Sequence, residues 1–353
     1  MMSFRGGRLG KLALPAGTVW LLTDIAEAKG RQDLYARQAP QLLKALREAA
    51  LIHSVESSNR IEGVTVAAAR LRPLVVGRAR PQDRPEEEIH GYCQALNFIH
   101  TGAHELSLTP DVLKRLHRVA QHGAGDAGQW KRVENEIIEF RQGAAPIVRF
   151  RPVAVADTPA AVDELCLSYR HVLSQEGVPP LVAVSALVLD FLCIHPFRDG
   201  NGRVARLLTL LALYHHGYEV GRYISLERLV EESKDEYYET LYRSSQGWHE
   251  GQHDLFPWLN YFLGVLRRAY RGFEERAGQI KTPRGAKTAL IQAGIDAFPG
   301  DFTLGDLERA CPGVSRDMVR RVLRDLQKSG KVLCLGRGPG APWRRKGNTP
   351  EKR

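Results

Sequence analysis

A polar run, His195-Pro196-Phe197-Arg198-Asp199-Gly200-Asn201-Gly202-Arg203-Val204-Ala205-Arg206, joins two apolar stretches, residues 181–194 (LVAVSALVLDFLCI) and 207–214 (LLTLLALY). Both flanks must be buried. The run between them therefore satisfies its polar groups with its own hydrogen bonds or with a ligand. Its composition points to a ligand. Gly200 and Gly202 allow positive φ and close backbone approach. The apolar periodicity after Gly202 predicts a helix, so the run delivers free backbone N–H groups at a helix N-terminus, an anion site. Arg203 and Arg206 lie three apart in the first turn, on one face, and their guanidinium forks suit a polyphosphate. Asp199 is a carboxylate inside this positive site, which makes sense if it holds Mg²⁺ bridging the phosphates. His195 is the one group in the run able to take a proton near neutral pH.

The chain's 353 residues leave room for two or three domains, and 43% hydrophobic with 25% charged residues is an ordinary globular composition. No apolar run reaches the roughly 18–20 residues of a membrane span. The first residues (MMSFRGGRLGKLALP) have no signal-peptide core. Cys93, Cys166, Cys193, Cys311 and Cys334 are scattered without metal-ligand spacing and read as reduced thiols of a cytoplasmic protein. The net charge of +10 is concentrated at one end: residues 281–353 hold 16 Lys/Arg against 7 Asp/Glu, a net +9, leaving about +1 for the rest.

Residues 1 to about 100 read as helical. Residues 38–51 have helical spacing at Leu42, Leu43, Leu46 and Ala50. Ser58 and Glu62, four apart, share a helix face, and Gly63 is placed to cap its C-terminus. A polar connector spans 79–88, with a helix over 88–99. Thr109-Pro110-Asp111 starts a helix to about Ala120, and residues 123–128 break the pattern. Two β-rich runs, 137–140 and 147–150, flank Gly143 and Pro146 and predict a hairpin. Helices follow over 158–175, 229–243 with Tyr237-Tyr238, and 256–270, then a charged linker over 271–285. The basic end reads as helix 287–297, a short helix to Ala310, a turn at 311–313, a Ser315-capped helix over 316–329, and two strands around 332–335 and Trp343. That is the order of a winged helix-turn-helix. Arg316, Arg320 and Arg324 fall on one face, as a DNA-reading helix requires. The basic tail, 346–353, is expected to be disordered.

The 195–206 run matches, at every fixed position, the signature of the Fic family, His-Pro-Phe-x-Asp-Gly-Asn-Gly-Arg-x-x-Arg, and on it the chain resembles that family. The resemblance implies a mainly α fold: a Fic-like helical bundle with a β-hairpin flap, plus a C-terminal winged helix-turn-helix domain. The implied division is an N-terminal helical region with an inhibitory helix (1–103), a Fic core (104–275), the winged domain (285–345) and the tail. Ser58, Glu62 and Gly63 resemble the family's inhibitory motif, Ser/Thr-x-x-x-Glu-Gly/Asn, whose Glu reaches the second signature Arg, here Arg206. The implied activity is transfer of AMP from ATP to a Ser, Thr or Tyr hydroxyl of a target protein. His195 is then the base, Asp199 holds Mg²⁺, and Gly200, Asn201, Gly202 and Arg203 bind phosphates. Arg206 takes the γ-phosphate when free of Glu62, and Tyr237 contacts the adenine. The sequence departs from the family at the hairpin and at Ser245, where many relatives have Asn. Two other readings stay open: a DNA-binding transcriptional regulator with the Fic-like fold as sensor, and an enzyme that removes AMP or transfers another phosphate-containing group. The expected partners are ATP, a target hydroxyl (the chain's own included), DNA through the C-terminal domain and a second copy of the chain, with no membrane.

Overall fold

The computed structural model describes residues 1–38, 40–139, 147–175, 177–278, 286–298, 300–311, 314–336, 338 and 340–346. Helices α1 (Ala16–Gln38), α2 (Pro40–Ile61), α3 (Ala68–Val75), α4 (Arg84–Gly102) and α5 (Pro110–Ala120) come first. A hairpin of β1 (Ile137–Glu139) and β2 (Ile147–Phe150) follows, then α6 (Thr158–Gln175), α7 (Pro180–Ile194), α8 (Asn201–His215), α9 (Leu226–Glu232), α10 (Lys234–Ser245) and α11 (Phe256–Gly278). The chain ends in α12 (Ala286–Ala297), α13 (Leu304–Ala310), α14 (Arg316–Lys328), β3 (Val332–Cys334) and β4 (Trp343–Arg345).

The chain divides into two compact units. One holds Met1–Lys29 with Lys44–Phe273, the other Gly30–Leu43 with Glu274–Arg353. In the first, α7 is apolar all round and buried almost throughout, because α6, α8 and α10 pack about it. Helix α8 is covered in turn by α4, α5 and α7. The polar run between α7 and α8 is thereby delivered to the middle of a helical bundle. Residues 44–103 share the first unit with the stretch expected to form the core, and α4 lies directly on α5 and α8.

Local chemistry explains where the elements start and stop. Asp83 accepts from the Glu86 N–H at 2.9 Å and Pro85 sits in the first turn, so α4 begins four residues before the expected 88. The helix expected over 229–243 is two, α9 and α10, separated at Ser233, whose backbone leaves the helical region. Helix α11 runs to Gly278, into the expected linker. Strands β1 and β2 pair antiparallel, with a register shift between Ile137 and Ile138. The expected hairpin tip, including Phe140, Gly143 and Pro146, lies outside the described residues, as do the turn at Pro312-Gly313 and the tail beyond Lys346.

In the second unit, Ile291, Phe302, Leu307, Val319, Val322 and Val332 belong to a common core. Thr303 and Asp306 form a reciprocal capping box on α13. Strands β3 and β4 pair antiparallel, and Phe302 bridges to Trp343. No described helix is long and apolar enough to cross a membrane. Cys93, Cys166, Cys193 and Cys334 are free thiols, the first three of them buried.

Candidate active site

Helix α7 ends at His195, whose own backbone is left-handed (φ 50°) and whose N–H still donates to the Phe191 carbonyl at 2.9 Å. A non-glycine residue in that region costs about 1–2 kcal/mol, so the surrounding structure has to hold it there. Carbonyls of the following residues are gripped from behind. The Lys131 N–H donates to Pro196 O at 2.8 Å, and Lys131 Nζ to Ile194 O at 3.3 Å. Asn135 and Asn201 both donate to Phe197 O, at 3.1 and 2.8 Å. His117 accepts the Gly128 N–H at Nδ1, so its proton is on Nε2, which donates to Asp199 O at 3.1 Å. Phe197 is fully buried and stacks on the His117 ring at 3.8 Å. Gly200, at φ 75°, then opens α8, whose first helical bond is Val204 N–H to Gly200 O. The first-turn N–H groups of α8 have no helical carbonyl partners, which is the arrangement an anion site requires.

The His195 ring is neutral, with a lone pair available on one nitrogen. Its Nδ1 lies 3.3 Å from Leu192 O. A carbonyl can only accept, so Nδ1 carries the proton and Nε2 keeps its lone pair. Burial pushes the imidazole pKa down to about 4, with Lys131 adding to the effect, so the ring is neutral at pH 7.

Arg206 is clasped by α2. Its Nε donates to Ser58 Oγ at 2.8 Å, and Nη2 donates to Ser58 O at 2.9 Å and Glu62 Oε1 at 2.7 Å. Burial disfavours the guanidinium charge, but the Glu62 carboxylate outweighs this and holds the pKa above its ordinary value. Gly63 (φ 83°) ends α2 in a Schellman turn: its N–H bonds Arg60 O at 3.0 Å and the Val64 N–H bonds Asn59 O at 2.9 Å. Lys234 Nζ caps the Ile61 carbonyl at 2.9 Å. A Cβ at position 202 would collide with Glu62 Oε1, so only glycine lets this carboxylate approach the first turn of α8.

Arg203 has a different carboxylate. Its Nη1 donates to Glu88 Oε2 at 2.6 Å, and the residue is 2% exposed. With the Gln121 amide oriented to satisfy both groups, Oε1 accepts from the Gly200 N–H at 3.2 Å and Arg203 Nη2 at 2.8 Å. The Asp199 side chain is 72% exposed; its Oδ1 accepts from the Gly200 N–H at 2.7 Å and its Oδ2 lies 3.7 Å from Arg203.

Residues 107–213, which contain the signature loop with His195 and Arg206, match the Fic/DOC family. They form a Fic domain. A Caenorhabditis briggsae protein adenylyltransferase, fic-1, is 26% identical over 262 residues, 71% of this chain and 46% of that protein. Its Caenorhabditis elegans counterpart is 25% identical over 258 residues, 70% of this chain and 45% of that one. The chain therefore spans about half the length of the curated relatives it matches. In fold, it is similar to a Fic family protein of Desulfovibrio desulfuricans, with a TM-score of 0.62 at 21% identity over 96% of this chain and 98% of that one.

Against this Fic domain, the expected site residues divide clearly. His195, Asp199, Gly200, Gly202 and Arg206 surround one helix N-terminus, and Ser58, Glu62 and Gly63 close on it from α2. Three of the expected residues are engaged by other protein groups in this structure. Asn201 was expected on the phosphates, but it is 2% exposed and its amide is taken at both ends: Oδ1 accepts from the Phe197 N–H at 2.9 Å and Nδ2 donates to Phe197 O. It braces the loop. Arg203, also expected on a phosphate, is buried against Glu88 and Gln121 and braces the start of α8. Tyr237, expected on the adenine, is 5% exposed and packs edge-on against Trp258 at 5.7 Å. The cavity it lines holds only about 50 Å³, the room of one or two waters rather than a nucleobase. Its neighbour Tyr238 is 46% exposed, and both rings feel the charges of Glu62 and Arg206. Sequence reasoning missed Glu88, His117, Gln121, Lys131 and Asn135. In the C-terminal unit, Arg316, Arg320 and Arg324 are exposed on α14; Arg316 lies 3.3 Å from Glu308 and Arg320 lies 3.8 Å from Asp317.

Proposed function

We propose that this chain is a protein adenylyltransferase that transfers AMP from ATP to a hydroxyl of a target protein, and that it rests in a state shut by Glu62. The observation that carries the reading is Arg206 bound to Glu62 at 2.7 Å, at the mouth of an anion site whose neutral histidine is ready to take a proton. In the reaction, His195 Nε2 accepts the proton of a Ser, Thr or Tyr hydroxyl. The hydroxyl oxygen forms a bond to the α-phosphorus, and the bond from that phosphorus to the pyrophosphate oxygen breaks. The α8 N–H groups and Arg206 hold the phosphates in line, since positioning and charge neutralisation carry most of such chemistry. Among the described residues, no three His, Cys, Asp or Glu side chains are grouped to hold a metal. A single exposed carboxylate beside a phosphate site nonetheless fits Mg²⁺, which takes one or two carboxylates and completes its shell with phosphate oxygens and water. Asp199 would hold it, and the ion would neutralise charge on the phosphates.

Glu62 on Arg206 removes a γ-phosphate ligand and adds negative charge where the nucleotide's own must sit. The test is intact-mass analysis after incubating the wild-type and Glu62→Gly proteins with ATP, CTP, GTP and UTP in turn. An AMP adduct that grows faster in Glu62→Gly and is absent in His195→Ala supports the reading. No adduct with any nucleotide, in any variant, on the chain or on lysate proteins, contradicts it. For the C-terminal unit we propose a winged-helix module. The comparisons lend no support to a DNA-binding regulator.

A further inference from the structure

The segment after α5 lies against the signature loop, and one of its charged side chains is buried there. Lys131 is 4% exposed. Its Nζ donates to Ile194 O at 3.3 Å and Asn135 Oδ1 at 2.9 Å, and its backbone N–H donates to Pro196 O at 2.8 Å. One residue therefore holds the carbonyls on both sides of His195. Asn135 adds a bond to Phe197 O at 3.1 Å. Both hydrogen-bond acceptors of the ammonium are neutral, a peptide carbonyl and an amide oxygen, and the Glu134 carboxylate is the charge that acts on it.

We propose that Lys131 is a positioning residue for the base: it fixes the loop on both sides of His195, and its ammonium adds to burial in disfavouring a proton on the imidazole. The proposal rests on His195 being the base of the reaction above. The groups acting on the ring are few. The Glu62 and Asp199 carboxylates favour a protonated ring, as does the Leu192 carbonyl at Nδ1, while burial and the Lys131 charge oppose it. Without Lys131, the two carboxylates act against burial alone. Lys131 keeps its proton at neutral pH: burial lowers its pKa to about 8, with Glu134 opposing. The sequence offers no motif for this role, because Lys131 and Ile194 are 63 residues apart.

The test is a histidine-resonance pH titration by NMR of the otherwise wild-type chain, with His195 assigned by its loss in His195→Ala. Lys131→Arg keeps the charge and should leave the His195 midpoint near that of the wild type. Lys131→Gln removes it and should raise the midpoint above that of the wild type and of Lys131→Arg. Should Lys131→Gln fail to fold, Asn135→Asp neutralises the same ammonium in place and should move the midpoint in the same direction. An unchanged midpoint in the charge-removing variant that folds overturns the proposal and leaves Lys131 as packing. The acid limb of the labelling rate, measured in a Glu62→Gly background, should rise with the midpoint. If the midpoint moves while no variant labels anything, the electrostatic role stands and the transfer reaction does not.

Discussion

Replacing Glu62 isolates the switch, because the rest of the Arg206 clasp survives. Ser58 Oγ and Ser58 O still hold the guanidinium at 2.8 and 2.9 Å. The Schellman turn at Gly63 uses backbone groups alone, so α2 still ends where it does. What disappears is one charge-assisted hydrogen bond at 2.7 Å between a buried guanidinium and a carboxylate that is 27% exposed. Such a bond contributes about 1.5–3 kcal/mol. A nucleotide that must displace it binds more weakly by that amount, roughly 10- to 150-fold. The assay is titration calorimetry with ATP and Mg²⁺ in a His195→Ala background, which blocks turnover. The Glu62→Gly/His195→Ala protein should bind ATP roughly 10- to 150-fold more tightly than His195→Ala alone. A dissociation constant that changes less than about twofold refutes the reasoning, since Glu62 would then be no competitor of the γ-phosphate.

Other expectations follow from the same geometry. Tyr237→Ala should cost about 3–5 kcal/mol of stability in denaturant unfolding, as emptying a large aromatic site does, whereas Tyr238→Ala should raise the KM for ATP with little change in stability. Asn201→Ala removes two buried hydrogen bonds and should cost about 1–3 kcal/mol, with a lower melting temperature; a mere loss of ATP affinity at unchanged stability would restore Asn201 to the phosphates. The pH dependence has a definite sign. The folded pKa of His195, about 4, lies below its ordinary value near 6.5, so the unfolded chain takes up the proton first as pH falls. The His195 contribution to stability is then lost between about pH 6.5 and 4, while labelling by Glu62→Gly stays level from neutrality down to about pH 5 and falls only as pH 4 is approached. A labelling midpoint near 6.5 would show that burial does not hold the proton off the ring.

The signature loop was legible because its flanks are apolar over 181–194 and 207–214, which leaves a polar run with nothing but backbone and ligand to satisfy it. Ser58 and Glu62 were legible as a helix face, four residues apart, and Gly63 as its cap. The braces were not. Arg203 meets Glu88 across 115 residues and His117 meets Asp199 across 82, separations at which no period or spacing carries a signal. Reading Arg203 and Asn201 as phosphate ligands followed from their chemistry, and the structure adds that both are buried against protein partners. The tyrosine pair poses a different difficulty. Tyr237 and Tyr238 are adjacent and identical, and the break at Ser233, which sets the rotation of α10, is not marked in the sequence. The split of α9 from α10 was missed for the same reason.

The central claim is a His195-dependent transfer of the α-phosphoryl group, opened by removing Glu62. The most direct measurement compares ATP labelled at the α-phosphate with ATP labelled at the γ-phosphate, using Glu62→Gly and Glu62→Gly/His195→Ala and following acid-stable label on protein. The account expects label from the α position only, lost when His195 is replaced. Label from the γ position, or α label that survives His195→Ala, would contradict it.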